Sequence, residues 1–519
     1  MSNSSLPKRR IGWKIPAVIV ALAVLAMAAL HRRDWVESYI AAYATALVVF
    51  LTVLSLLVWF LLFSGASGRA RVVGVAAIGA LVGSALVVGK LTTRVDGTYS
   101  GVGVPRFVWR WSKSHEDVSS IQTFDGSQID LSATTPRDFA EFLGPGRRNA
   151  IEGIGLSRNW GGAQPRKLWR QPIGVGWSSF AIVGPWAVTQ EQRGSDELVV
   201  CYEVETGRAR WAHVHPHTRF SEWQGGDGPR ATPTIFGGRV YAMGATGVLD
   251  CLDGATGNTN WSRNVLDDTG SRNLEFGKSC SPLIVDDLVV VTAGRGGPSL
   301  VAYHRDTGEL AWKGGQETPG YASPLLATLA GARQILTVNS ASVASHDAKD
   351  GRLLWRYDWP GYLPKNVDPV PLDGDRVLIS AGYGLGTTLL KVTSSAGGAM
   401  SVSELWTSRR LKPKFANVAI RGDCVFGLDD GILTCLDLAT GKRLWRGEEY
   451  GFGEVLLVDD LLLVQAENGD VALVEAIPQA FHELARFSAI EGKTWTNPAL
   501  AGHRLLVRND HEAACYELP

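Results

Sequence analysis

A chain of 519 residues has room for about three domains. Its 51 Lys+Arg balance 51 Asp+Glu, which argues against a protein held to nucleic acid by a global positive field. The 45% hydrophobic and 20% charged content is that of a folded chain, and 59 Gly with 18 Trp point to many tight turns and a repeated aromatic packing role.

The balance hides an asymmetry. Residues 1–94 hold ten Lys/Arg and two Asp/Glu, a net of +8, and the remainder carries 41 basic and 49 acidic residues, a net of −8. The basic part is also the apolar part. Apolar stretches cover about 15–30, 39–63 and 72–91. A membrane span needs about 20 such residues, so the second is long enough, the third is close and the first is short. The first also has the form of a signal peptide, with Lys8, Arg9, Arg10 and Lys14 ahead of small residues Ala26, Ala28 and Ala29. Two further spans anchor the chain in either case. Three retained helices are expected, the first reaching back to Ile11 with Lys14 snorkelling.

With the N-terminus inside, Lys8, Arg9, Arg10, Lys14, Arg69 and Arg71 face Arg32, Arg33, Lys90 and Arg94 across the membrane. This bias places everything after residue 94 outside the cytoplasm, on the periplasmic side. No span carries an internal acid, so 1–94 reads as a transmembrane anchor and not as an ion path.

Residues 95–164 form a connector. Phe107, Trp109, Arg110 and Trp111 just past the last span suit an interfacial belt, or else a docking segment. Residues 119–135 are polar without helical period and read as loop.

An internal repeat fills 165–519. A Trp ends a strand-like run at Trp169, Trp211, Trp261, Trp312, Trp355, Trp406 and Trp445, at spacings of 42, 50, 51, 43, 51 and 39 residues. A Gly lies four residues before five of them: Gly207, Gly257, Gly308, Gly351 and Gly441. The Gly accepts the positive φ of a hairpin turn, and the acids Glu203, Asp253, Asp347 and Asp437 four residues earlier can bond turn amides. The Trp opens the next strand and covers a neighbouring sheet.

Eight further turns sit between apolar runs, at Gly184, Gly237, Asp286, Gly331, Gly374, Gly422, Asp459 and Gly502. Each unit therefore holds two hairpins. Eight four-stranded units predict an all-β eight-bladed β-propeller behind an N-terminal α-helical transmembrane anchor. The last unit lacks its own Trp strand and the strand at Trp169 lacks a unit, so the first strand is expected to complete the last blade and close the ring.

The unit at 251–261 and 435–445, with its Cys-Leu-Asp start, Ala-Thr-Gly turn and Trp, resembles the quinoprotein (PQQ-like) repeat family. That family includes PQQ-dependent alcohol and glucose dehydrogenases, and non-catalytic members such as BamB-type scaffolds for outer-membrane protein assembly. The resemblance covers about 165–519 and implies the fold. The alcohol dehydrogenases carry a vicinal cysteine pair over the quinone, whereas no two of the six cysteines here are adjacent. Neither a catalytic Asp nor a calcium set maps residue by residue, so no catalytic residue is assigned and the membrane-anchored, non-catalytic members are the nearest in kind.

Cys201, Cys251 and Cys435 all fall six residues before a turn Gly, with Cys515 equivalent in the last blade. The slot takes a small buried residue, and no disulfide framework is expected. His213, His215 and His217 alternate after Trp211 and would share one face of a strand. Pro216 interrupts that strand and no neighbouring acid or Cys completes a set, so no metal is assigned. Gly277-Lys278-Ser279 lacks the Gly of a phosphate loop, since Arg272 stands there.

Two aligned sets remain. Ser179, Thr232, Ser281, Ser323, Asp368, Asn417, Glu454 and Asn497 start the innermost strands and can tie blade to blade. Just before them, at one mouth of the central channel, come Trp177, Arg230, Lys278, Tyr321, Lys365, Asn366, Lys414 and Trp495, with Phe415 and Phe452. Aromatics mixed with cations suit a planar anionic ligand, such as PQQ with calcium, or an extended chain from a partner; otherwise the rings simply pack between blades. The Gly-rich loop 221–230 enters the same mouth. The expected function is a membrane-anchored extracytoplasmic scaffold that binds a protein or small ligand. The alternative is a PQQ-dependent membrane-bound dehydrogenase of alcohols or sugars.

Overall fold

In the repeat region, each pair of apolar hairpins folds into a four-stranded antiparallel sheet with its strands in sequence order. The computed structural model describes residues 13–31, 37–99, 104–111, 121–123, 128–361 and 363–519. Lys8, Arg9, Arg10, Ile11, Arg32, Arg33 and parts of the 119–135 loop lie outside the described residues. The chain divides into two compact units, Met1–Lys113 and Ser114–Pro519.

The first unit holds helices Lys14–Leu30, Ser38–Leu62 and Gly68–Thr92. The second and third, 25 residues each, are long and apolar enough to cross a membrane, whereas the first has 17 residues. Ser67 caps the third helix by accepting the Ala70 amide at 3.2 Å. The chain then makes a hairpin of Thr93–Tyr99 and Val104–Trp109, where no strand pair was expected. Trp109 and Trp111 stack at its end, 5.0 Å between centroids.

The second unit contains seven four-stranded sheets and one five-stranded sheet among the described residues. Blade 1 runs from Ala181–Val183 to Ala209–His215, blade 2 from Thr234–Phe236 to Thr259–Asn264, and blade 3 from Leu283–Val285 to Leu310–Gly314. Blade 4 runs from Leu325–Leu329 to Leu353–Asp358, blade 5 from Val370–Leu372 to Met400–Ser408, blade 6 from Ala419–Arg421 to Arg443–Glu449, and blade 7 from Glu454–Val458 to Glu483–Ser488. Blade 8 has three strands of its own, Ala499–Ala501, Arg504–Arg508 and Glu512–Glu517. Its fourth is Arg166–Pro172, paired antiparallel with Glu512–Glu517 so that Trp169 opposes Cys515. The closure expected from sequence is the one observed.

The repeated Trp and Gly meet across blades. The ring of Trp169 in blade 8 lies under Gly207 of blade 1, and Trp211 of blade 1 lies under Gly257 of blade 2. A Cβ on Gly257 would fall 2.6 Å from the Trp211 ring, so the turn needs Gly for space as well as for its φ of +73°. The indole N–H of Trp211 donates to the Gly254 carbonyl at 3.0 Å, and Trp169, Trp261, Trp406 and Trp445 make the matching bond to the next blade. The small slot is explained too. Cys201, Cys251, Cys435 and Cys515 each pair directly with the Trp of the adjacent strand. In blade 7 the sizes invert, with Leu473 facing Ala485. All six cysteines are buried and free.

The polar residues that start the innermost strands form a ring of hydrogen bonds. The amide of Ser179 donates to Thr232 Oγ1 at 3.1 Å, that of Thr232 to Ser281 Oγ at 3.0 Å, and that of Ser281 to Ser323 Oγ at 3.1 Å. The amide of Ser323 donates to Asp368 Oδ1 at 2.7 Å and that of Asp368 to Asn417 Oδ1 at 2.8 Å. Glu454 accepts from the Asn417 backbone and from Asn497 Nδ2, the latter at 3.0 Å. Ser179 Oγ donates to the Asn497 carbonyl at 2.7 Å and the circle is complete. Buried Arg508 adds a second tie, from blade 8 to Gly174, Gly176, Thr189 and Gln190.

One end of the channel is crossed by the chain that precedes the propeller. Phe139 exchanges two backbone hydrogen bonds with Ile182, and Ala150–Ile151 adds a parallel fifth strand to blade 7. Between them Arg147 and Asn149 adopt φ of 55° and 53°. Such backbone costs about 1–2 kcal/mol per residue and persists because both side chains are held. The Arg147 guanidinium pairs with Glu141 at 3.1 Å and donates to the carbonyls of Ser281, Pro282 and Pro324. Asn149 Nδ2 donates to the carbonyls of Asn417, Val418 and Val455.

Candidate functional site

The other end of the channel is lined by the residues that precede the ring. There the structure brings Trp177 and Trp495 together, with ring centroids 5.2 Å apart. Phe415 stands 4.9 Å from Trp495 and 6.0 Å from Phe452, so blades 1, 8, 6 and 7 share one aromatic cluster. Lys493 places its ammonium over both indoles, 4.1 Å from Trp495 and 5.0 Å from Trp177. Trp495 Nε1 donates to Glu467 Oε1 at 2.9 Å, and the Phe452 amide to Glu467 Oε2 at 3.0 Å. The Trp177 indole N–H is buried with no partner. An apolar cluster edged by Lys493, Lys414 and Glu467, with Phe415 and Trp495 half-buried, suits a chain that offers apolar side chains.

The other expected residues are placed differently. Lys278 is fully buried, its ammonium donating to the carbonyls of Thr292 and Ala293 and to Thr292 Oγ1, and burial lowers its pKa. Lys365 donates to the Ser340 carbonyl and lies 5.5 Å over Trp359; burial brings it down to about 8. Lys414 pairs with Asp430 at 2.8 Å and lies 4.2 Å over Phe452. Lys278 serves its own blade, Lys365 reaches back to blade 4, and Lys414 pairs within blade 6 while covering Phe452 of the aromatic cluster. Asn366 Nδ2 donates to the Lys414 carbonyl at 3.0 Å, a tie from blade 5 to blade 6.

Arg230 is folded into its own loop, donating to the carbonyls of Gly228 at 2.6 Å and Gly226 at 2.7 Å. Burial pulls its guanidinium down to about 10 against the raising effect of Glu222, Asp227, Glu197 and Tyr321. Loop 221–230 is clamped further by Arg219–Asp227 at 3.0 Å and by Glu222, which accepts the amides of Gln224 and Gly225. Tyr321 packs against Phe276 at 5.6 Å and its hydroxyl accepts the Phe276 amide at 3.3 Å. Trp177 and Trp495 thus form one group with Lys493, whereas Arg230 and Tyr321 stand with Phe220 and Phe276 in another. Sequence reasoning passed over Lys493 and Glu467. The first was signalled by its place two residues before Trp495 in the same loop, and the second carries no local signal.

A third group lies on the outer part of blade 1. His213 and His215 share a face of Ala209–His215, and Asp250 reaches them from blade 2. The acid that the sequence did not supply nearby comes from the next repeat.

A family model described as outer membrane protein assembly factor BamB matches residues 195–447. No curated protein matches the chain. Among solved structures, the quinohemoprotein alcohol dehydrogenase of Comamonas testosteroni is similar with a TM-score of 0.55 and 12% identity, covering 74% of this chain and 81% of that one. The quinohemoprotein alcohol dehydrogenase ADHIIG of Pseudomonas putida HK5 gives 0.53 and 11%, covering 76% and 83%. BamB from Moraxella catarrhalis is 17% identical, covering 69% and 98%, with a TM-score of 0.49. For the two dehydrogenases, at these identities, the likeness is one of fold.

Proposed function

Because its second unit is a PQQ-like repeat β-propeller, we propose that this protein is a membrane-anchored extracytoplasmic scaffold. Its aromatic mouth, formed by Trp177, Trp495, Phe415 and Phe452, takes an extended segment of a protein partner. The observation that carries the reading is the cluster itself, since four rings from four blades converge on one mouth, with Lys493 over its two indoles. The opposite end is crossed by the segment that carries Arg147 and Asn149. Two helices of membrane-spanning length precede the propeller, and the basic residues between and around the spans orient it outward.

The donor set supports this reading over a PQQ-dependent dehydrogenase. Such an enzyme needs calcium ligands and a carboxylate base beside the quinone. Around the mouth, Asp368 and Glu454 are locked in the hydrogen-bond ring and Glu467 is held by Trp495 and Phe452. Lys278 and Lys365 are spent on carbonyls, and no cysteines are adjacent. These residues do not fit a quinone with its calcium.

The test is site-specific photo-cross-linking in the native membrane. A photoreactive residue at position 493 should capture a discrete protein, and Trp495→Ala should abolish the adduct. The same probe at Leu353, on an outer strand, should not capture it. Saturable Trp quenching by PQQ with Ca²⁺ and turnover of an alcohol or sugar would overturn the scaffold reading in favour of the enzyme.

A further inference from the structure

We infer that His213, His215 and Asp250 form a binding site for a divalent transition-metal ion between blades 1 and 2, with zinc the ion best suited to the donors. Two imidazoles and one carboxylate make a donor set common for zinc, with three protein ligands and a fourth position left to water.

The geometry is that of ligands. His213 Nε2 and His215 Nε2 face one another at 3.3 Å. Zinc–nitrogen bonds of about 2.0–2.1 Å at a tetrahedral centre put their nitrogens about 3.3–3.4 Å apart. Two neutral imidazoles aimed at each other can share only one proton, whereas an ion between them uses both lone pairs. Asp250 Oδ2 meets His215 Nε2, and the three donor atoms lie within 4.8 Å of one another.

Two further observations point to a ligand. Asp250 is only 2% exposed, and its second oxygen, Oδ1, has no hydrogen-bond partner. An ionised carboxylate this deep is costly unless cations sit beside it, and His215 meets only one of its two oxygens. The His213 ring is also hydrogen-bonded to the Gly257 carbonyl, which leaves Nε2 as its lone-pair donor. Glu197, the cross-strand partner of His215, holds the Ala245 amide at 3.1 Å and adds a carboxyl behind the cluster. Both histidines are half-buried, so solvent reaches the site from the outer strand. His217 stands apart, beyond Pro216, with its amide tied to Asp196 Oδ1 at 3.0 Å.

The experiment uses the full-length chain in detergent, stripped with a chelator. Zn²⁺ is titrated by calorimetry, and Co²⁺ is followed by the visible d–d bands of a tetrahedral ion. One ion per chain is expected. His213→Gln and Asp250→Asn should each weaken binding about 100-fold or more, while His217→Gln leaves it unchanged. If Asp250→Asn fails to fold, His213→Gln at the half-buried strand surface decides alone. Absence of stoichiometric binding would show that His215 and Asp250 are an ion pair and nothing more. Binding that survives His213→Gln, or that is lost equally in His217→Gln, would likewise overturn the site.

Discussion

Ser179 Oγ donates to the main-chain carbonyl of Asn497 at 2.7 Å, across 318 residues of sequence. It is the link that joins the last blade to the first, and with Arg166–Pro172 completing blade 8 it leaves no open edge between them. The same position in every blade is polar, and every one of these residues bonds to a neighbouring blade. Ser179→Ala is expected to cost about 1–3 kcal/mol, because the buried carbonyl loses its donor. Ser395→Ala at an exposed turn should stay within about 0.5 kcal/mol. Denaturant unfolding of both variants checks the difference.

Gly257 and Gly237 separate two reasons for a glycine. Both have positive φ, at +73° and +59°, but a Cβ on Gly237 meets nothing within 4 Å. Gly237→Ala should cost about 1–2 kcal/mol for the backbone alone. Gly257→Ala should cost about 2–4 kcal/mol, since Trp211 must also move. Equal losses in thermal unfolding would show that the indole contact carries no weight.

Arg147 anchors the segment that crosses the channel. Arg147→Ala strands the carbonyls of Ser281, Pro282 and Pro324 and leaves Glu141 without its ion pair. A loss of about 3–5 kcal/mol is expected. Limited proteolysis should cut faster within 128–160 while the blades resist. An unchanged cleavage pattern would mean that Asn149 and the strand at Ala150–Ile151 hold the segment unaided.

Asp368 makes stability depend on pH. Burial raises its carboxyl from 3.8 to about 7, against the Ser323 amide that favours ionisation. The unfolded chain therefore ionises first as pH rises. The stability of the neutral form is full below about 4 and is lost as pH climbs to about 7, by at most about 1.4 kcal/mol per pH unit. Asp368→Asn should flatten this decline in melting temperature between about pH 4 and pH 7. Glu454, raised in the same way, keeps a residual slope.

The propeller was legible because its signals are short-range. Gly257 and Trp261 sit on one turn and the strand it opens, and Asp437 bonds the Thr440 amide three residues on at 2.8 Å. The polar ring was visible as an alignment, since Ser281 and Ser323 occupy the same place in two copies of one unit. The mouth was legible only in part. Alignment places Lys278, Lys365 and Lys414 correctly along the chain, but it cannot tell a side chain that turns into its blade from one that faces the channel. All three are buried. The strands at 93–109 were missed because their Trp and Arg content matches an interfacial belt equally well.

Local spacing was enough to establish the unit, its eightfold repetition and the apolar helices before it, because turns, strands and spans are governed by residues a few positions apart. Which side chains meet across blades was a matter for three dimensions. Asp250 joins His213 and His215 from the next repeat, Arg147 reaches blades 3 and 4, and Lys493 settles on Trp177 from more than 300 residues away. The Lys493 contact depends on the closure of the ring, and the others on neighbouring blades packing side by side and on the segment that crosses the channel, none of which the local spacing specifies.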